Sequence, residues 1–295
     1  DDLRKPGMPQ FDVCHLKDLC LSADQGPSTW TAVAEIIEAN YHKYSGFVVQ
    51  HGTDTLVYCA TAISFMLENL GKPVMFTGSI IPANQVTSDM KRNIILAMKF
   101  AQDPDICEVC IVFAERVFRA NRTIKISRVS LQPFVSPHMS PLAILRGNHV
   151  MIEKRLLHDA PRGRLRVHKD MSALILTIEL VPGMSEAIVM QLVETTQARA
   201  IVMCAFGTGN VPIRTDLFVR MTKRAHERNI LVVVCSQNRY GTVNLGTYLT
   251  GEQLLRVGAI GAGDLTLETT IVKLKYLFGL GLSSSEVGQL MLWNL

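Results

Sequence analysis

The densest group of chemically able side chains in this sequence is His51-Gly52-Thr53-Asp54-Thr55, which holds an imidazole, a carboxylate and two hydroxyls around a glycine. Gly52 lets the backbone come close to a ligand. Residues 46–50, Gly-Phe-Val-Val-Gln, form an apolar run that reads as a buried strand. Beyond the motif, Ile63, Met66, Leu67 and Leu70 at i, i+3, i+4 and i+7 predict a helix stopped by Gly71 and Pro73. Open α/β sheets hold ligands in such loops, outside the carboxyl ends of strands, and unpaired amides at a helix start favour an anion. Thr-Asp-Thr also has a plain structural use as a helix N-cap, and residue types alone leave both uses open.

Other arrangements point to less. Cys107-Glu108-Val109-Cys110 has the C-x-x-C form, but it leads into a strand whereas a redox pair opens a helix, so buried structural thiols are expected. The eight histidines include no H-x-x-x-H and no paired Cys/His spacing, so no metal is expected, and nothing indicates another cofactor. Gly258-Ala259-Ile260-Gly261-Ala262-Gly263 lacks the following G-K-[ST] of a phosphate loop and reads as tight turns.

The elements that would position these residues alternate. Residues 46–50, 74–77 and 110–113 read as strands separated by helices, the second of them starting at Ser88 as N-cap and running through Ala101. After residue 172, strands over 173–178, 200–204 and 230–234 are separated or followed by helices over 185–195, 216–227 and 267–280. The expected fold class is α/β, with a larger N-terminal doubly wound domain on a mostly parallel sheet and a smaller C-terminal α/β domain. The basic, non-periodic stretch between them sets the expected limits at 1–155, linker 156–172, and 173–295.

A chain of 295 residues with 48% hydrophobic and 19% charged residues can bury a sizeable core. Its charge of +4 includes no basic tract of five or more, so neither nucleic acid nor lipid is an expected partner. No apolar run is long enough to cross a bilayer and no signal-peptide core is present. Seven scattered cysteines, an odd number, fit reduced thiols in a cytosol better than a disulfide framework.

The string His51 to Thr55 after such a strand resembles one of the two signature motifs of the bacterial-type L-asparaginases. Residues 62–74, Thr77-Gly78-Ser79 with Pro82, and residues 119–125 resemble the cytosolic type I branch in particular. So do Pro182-Gly183-Met184, Gly207-Thr208-Gly209-Asn210, Val243-Asn244-Leu245-Gly246 and residues 263–268. The resemblance implies an amidohydrolase that splits the side-chain amide of L-asparagine into L-aspartate and ammonia through a threonine acyl-enzyme, with L-glutamine a poorer substrate. It also implies a cytoplasmic homodimer or homotetramer. Thr53 is then one of two catalytic threonines, Asp54 holds the substrate's α-ammonium, and Lys125 is the amine partnered with Thr53. Ser22 falls on the serine that meets the substrate carboxylate, with Asp24, Gly52 and Ser79 beside it among the substrate-binding positions. Asn210 matches an asparagine given to a neighbouring subunit's site.

Two departures stand out. Leu21 and Ala23 flank Ser22 where the family usually has an acidic residue and a serine. The family's other motif, Thr-Gly-Gly-Thr, whose first threonine is the acylating nucleophile, does not occur in these residues, whose alignable part starts at Met8. An intact precursor carrying that motif would be an enzyme. A paralogue without it would bind asparagine and leave it whole, and a third alternative is the amidase subunit of a tRNA-dependent amidotransferase, which shares the fold.

Overall fold

The computed structural model describes residues 2–4, 6–17, 20–147 and 149–293. The chain forms two compact units, Asp1–Lys169 and Asp170–Leu295.

The first unit begins with α1 (Pro27–Asn40), β1 (Phe47–Gln50), α2 (Leu56–Met66), β2 (Leu67–Glu68), β3 (Val74–Thr77), α3 (Met90–Phe100) and β4 (Val109–Phe113). β1, β3 and β4 pair in parallel, with Val48 opposite Met75 and Met75 opposite Cys110. Parallel strands covered on both faces carry unbroken apolar runs, and every residue of β3 and β4 is buried.

Beyond β4 the sheet continues antiparallel. β5 (Arg116–Arg119) returns along β4 through Ala114 and Glu115, both at positive φ. Such a two-residue turn usually announces itself as Asn-Gly, and Ala-Glu gives no such signal. β6 (Ile124–Lys125) and β7 (Phe134–Val135) form a separate antiparallel pair, while β8 (Ala143–Arg146) and β9 (His149–Ile152) complete the order β1-β3-β4-β5-β8-β9. Val150 and Met151 on β9 are exposed, so this edge strand lacks a readable apolar alternation.

Two helix limits differ from the sequence pattern. α2 stops at Met66 rather than near Leu70, because Leu67 and Glu68 leave to pair antiparallel with β10 (Arg166–Val167) and Asn69 takes a left-handed φ of 59°. His168 secures that pairing by donating its backbone N–H to Met66 O at 2.9 Å and placing Nε2 2.6 Å from Glu68 Oε2. Part of the basic stretch expected as linker is therefore folded back on the first unit. α3 starts after Asp89 rather than Ser88, and the Asp89 carboxylate accepts the N–H groups of Ile80 and Ile81 instead of capping the helix.

The second unit contains β11 (Ile175–Glu179), α4 (Glu186–Thr195), β12 (Ala200–Ala205), α5 (Leu217–Glu227), β13 (Leu231–Ser236), α6 (Leu249–Arg256), β14 (Ile260–Gly261), α7 (Leu267–Gly279) and α8 (Ser284–Leu290). Its four strands are parallel in the order β11-β12-β13-β14. Ile201, Met203, Val232 and Val234 share one buried cluster with Val189 and Val193 of α4 and Phe218 and Met221 of α5. The alternate residues face α7, where Cys235 Sγ donates to Thr270 Oγ1 at 3.4 Å. Helices thus cover both faces.

The Cys107 and Cys110 thiols are buried, and desolvation pushes both above the usual range, Cys110 well above it. Gly258 and Gly263 have positive φ, as tight turns require. Among the described residues no helix is long and apolar enough to cross a membrane, and no three His, Cys, Asp or Glu side chains are grouped to hold a metal.

Candidate active site

β1 runs out at Gln50, and His51 extends its ladder by donating N–H to Thr77 O at 2.9 Å. The chain then turns through Gly52, Thr53 and Asp54 into α2, with Thr55 in the N-cap position. Thr55 does not cap with its side chain. Its hydroxyl donates instead to Ser22 O at 2.6 Å, which draws the segment around Ser22 onto the motif. Gly52 is required at that contact, since a Cβ there would stand 2.7 Å from Ser22 Oγ. Gly78 meets the motif from another side, where a Cβ would lie 2.3 Å from His51 O.

Lys125 arrives from β6. The Thr61 hydroxyl on α2 donates to Ala120 O at 3.2 Å, and Thr123 donates its own to Arg119 O at 2.7 Å, fixing the approach to the strand. Phe134, opposite Lys125 in the ladder, packs edge-on against Phe113 of β4 with ring centroids 5.1 Å apart. Held this way, Lys125 Nζ donates to Thr53 Oγ1 at 2.9 Å and to Asp54 Oδ1 at 2.7 Å. The lysine side chain is 17% exposed and the aspartate 74%, so the pair has a dry end and a wet end. A hydroxyl, an amine and a carboxylate in one hydrogen-bonded chain are the parts of a proton relay, and the open carboxylate can also receive a cation.

The geometry therefore brings Ser22, Gly52, Thr53, Asp54 and Lys125 together. Asp24 is exposed in the same short 3₁₀ turn as Ser22. Ser79 follows Gly78 into the neighbouring loop and is half-buried. Asn210 belongs to the second unit, where it closes the turn after β12. Its backbone exchanges hydrogen bonds with Phe206, and its side-chain oxygen accepts from Thr250 Oγ1 at 2.9 Å.

The family model described as asparaginase, N-terminal, matches residues 8–158, and that of the glutaminase/asparaginase C-terminal domain matches residues 175–291. This chain belongs to the asparaginase family. L-asparaginase 1 of Escherichia coli (strain K12) is 37% identical over 298 residues, covering 100% of this chain and 86% of the relative. The crystal structure of L-asparaginase I from Vibrio cholerae superposes with a TM-score of 0.90 at 36% identity, over 100% of this chain and 88% of that one. The thermostable L-asparaginase of Thermococcus kodakarensis gives 0.88 at 28%, over 99% and 86%.

Within this asparaginase fold, further residues support the site. Asp89 accepts from Ile80 and Ile81 and from Asn93 Nδ2 at 3.0 Å, and Asn93 Nδ2 also donates to Gly78 O at 3.0 Å, so the two hold the loop that carries Ser79. The sequence pattern pointed to neither, since Ser88 reads as the helix N-cap and Asp89 and Asn93 simply follow it into that helix. His51 is 8% exposed, with Nδ1 donating to Gly52 O at 2.7 Å, and desolvation holds its pKa below the usual value, so the ring is neutral at pH 7.

Proposed function

We propose that this protein is an L-asparaginase, hydrolysing the side-chain amide of L-asparagine to L-aspartate and ammonia, with L-glutamine a poorer substrate. The observation that carries the site assignment is the Lys125 amine within hydrogen-bond reach of both Thr53 and Asp54. In the reaction a threonine oxygen attacks the amide carbon, the C–N bond breaks, and the amide nitrogen leaves as ammonia after gaining a proton. Water then attacks the ester, releasing aspartate and restoring the hydroxyl.

Thr53 and Lys125 carry protons for these steps. Lys125 Nζ, hydrogen-bonded to Thr53 Oγ1, is the group placed to relay the Thr53 proton, and its tie to Asp54 holds the amine in line. Asp54 presents its second oxygen to the substrate α-ammonium, and the Ser22 hydroxyl beside Gly52 meets the α-carboxylate, with Asp24 and Ser79 lining the pocket. The acylating threonine is the one that the resemblance gives to the Thr-Gly-Gly-Thr motif, which these 295 residues do not contain. Among the described residues no strand pairs with the outer edge of β1, whose Phe47, Val48 and Val49 are half-buried, so this edge can receive the strand that carries it.

Neither the non-catalytic reading nor the amidotransferase reading is favoured by relatives named L-asparaginase that match the whole chain. The protein works in the cytoplasm as a homodimer or homotetramer in which Asn210 reaches a partner's site. The deciding experiment is ammonia release from L-asparagine by the full-length protein. Release that is slower with L-glutamine and lost in Thr53→Ala supports the reading, and binding without release overturns it in favour of the non-catalytic paralogue. Light scattering that finds only monomer at micromolar concentration removes the oligomer and the Asn210 role together.

A further inference from the structure

Two side chains at the start of α3 serve the loop after β3 instead of their own helix. Asp89 stands in the N-cap position, where a carboxylate ordinarily accepts the unpaired amides of the first turn, yet its side chain caps nothing. Its Oδ1 accepts from Ile80 N and Ile81 N, each at 3.0 Å, and its Oδ2 accepts from Asn93 Nδ2 at 3.0 Å. Asn93, one helical turn further on, is 3% exposed. Its Nδ2 also donates to Gly78 O at 3.0 Å, and its Oδ1 accepts from Ala114 N at 3.4 Å. A buried amide with both donors and its oxygen engaged holds one orientation.

These bonds fix two successive peptide planes. In a trans peptide the carbonyl and the amide hydrogen point opposite ways, and no described peptide bond is cis. Gly78 O is aimed at Asn93, so Ser79 N–H points away from that side chain. Ile80 N–H is aimed at Asp89, so Ser79 C=O points away from the carboxylate. Both backbone groups of Ser79 are thereby turned off the start of α3, and among the described residues neither has a hydrogen-bond partner. Gly78, directly before them, lies against the His51–Thr55 motif: a Cβ there would stand 2.3 Å from His51 O and 3.5 Å from Thr53 Cγ2. A free donor and a free acceptor on a half-buried residue need a polar partner, and Thr53 is where the substrate is placed.

We propose, resting on the asparaginase reading above, that Asp89 and Asn93 are positioning residues which present the Ser79 backbone to the substrate. Neither touches the substrate. Asp89 holds the amides of Ile80 and Ile81, Asn93 holds the carbonyl of Gly78, and Ser79 between them is left as the contact.

The test is steady-state kinetics of ammonia release from L-asparagine by the full-length protein, with amide hydrogen exchange across residues 78–82. Asp89→Ala frees the Ile80 and Ile81 amides, so their exchange should quicken and KM should rise about ten-fold as the Ser79 hydrogen bonds to substrate weaken. Asp89→Asn can keep its oxygen toward those two amides and should recover most of the loss. Asn93→Asp removes the donor to Gly78 O and should raise KM likewise, which gives a second arm if Asp89→Ala does not fold. A partly unfolded preparation lowers kcat by its inactive fraction and leaves KM alone, so KM separates positioning from mere support. Wild-type turnover with KM unchanged in the variants that fold, or an Asp89→Asn enzyme as impaired as Asp89→Ala, overturns the positioning role alone. A wild-type protein that releases no ammonia overturns the asparaginase reading, and this role with it.

Discussion

Each unit holds a lysine withdrawn from water, and the two lysines have little else in common. Lys125 of the first unit is 17% exposed and its amine ends on a hydroxyl and a carboxylate. Lys273 on α7 of the second unit is 2% exposed, and its amine ends on the carbonyls of Met291 and Trp293. Burial pushes Lys273 down to about 8, and the partners its amine has among the described residues are carbonyls, which have no proton to exchange. Burial alone therefore does not single out the lysine proposed for catalysis. The partners mark it: a hydroxyl that can give up a proton and a carboxylate left open to solvent.

The sharpest way to break this contrast is to remove the hydroxyl. Thr53→Ala in the full-length enzyme should cost on the order of a million-fold in kcat, the scale seen when one member of a concerted nucleophile and base set is lost. The fold should survive, because the Thr53 hydroxyl accepts from the Lys125 side chain and not from the backbone of another element. Lys125→Met should fail comparably. A Thr53→Ala enzyme that keeps most of its turnover removes the motif from the mechanism.

Next in size is Asp54→Ala. Its cost should appear mainly in KM, by about ten- to a hundred-fold, since an ammonium that loses a charged acceptor forfeits roughly 1.5 to 3 kcal/mol. Steady-state kinetics over a wide asparagine range separate the two constants. A fall in kcat with KM unchanged would move Asp54 from substrate binding into the proton relay.

How much of this was readable depends on where the signal sits. The strand over 46–50, the His51 to Thr55 turn and the parallel strands that follow lie in one local pattern of apolar run, polar turn and apolar helix, and β1, β3 and β4 appear within a residue or so of it. Lys125 had no such signal. It sits on a two-residue strand 72 residues from Thr53, and only family resemblance pointed to it. The β4–β5 turn hid because Ala114-Glu115 adopts positive φ without the usual residues. The early end of α2 hid because the competing partner, β10, lies about a hundred residues downstream. Local periodicity reports local structure, and long-range pairing leaves no trace in it.

A smaller effect tests the pocket wall. In Gly52→Ala the new methyl would start 2.7 Å from Ser22 Oγ, so Ser22 must give way. That hydroxyl is the proposed carboxylate contact, and its displacement should lower kcat/KM by about ten-fold while kcat changes less. An unchanged KM for asparagine would show that Ser22 takes no part in binding.

The smallest expected effect lies on the other side of the comparison and carries a definite sign. Lys273 titrates near 8 when folded against 10.5 in the ordinary case, because burial disfavours its charged form. Between these values the unfolded chain holds more protons than the folded one, so the contribution of this group to stability rises as pH rises through the window and is flat below it. Each pKa unit is worth about 1.4 kcal/mol. The two carbonyls favour the ammonium and offset part of the burial cost, leaving an expected gain of about 1 to 2 kcal/mol. Urea unfolding of the wild type and Lys273→Met at several pH values from 7.5 to 10.5 isolates the term, since other titrations cancel in the difference. Wild-type stability relative to the variant should climb with pH while turnover of the two enzymes stays equal at pH 7.5. A difference that is flat across the window would show that the carbonyls fully compensate burial. A variant inactive at pH 7.5 yet still folded would give Lys273 a part in catalysis and collapse the distinction between the two lysines.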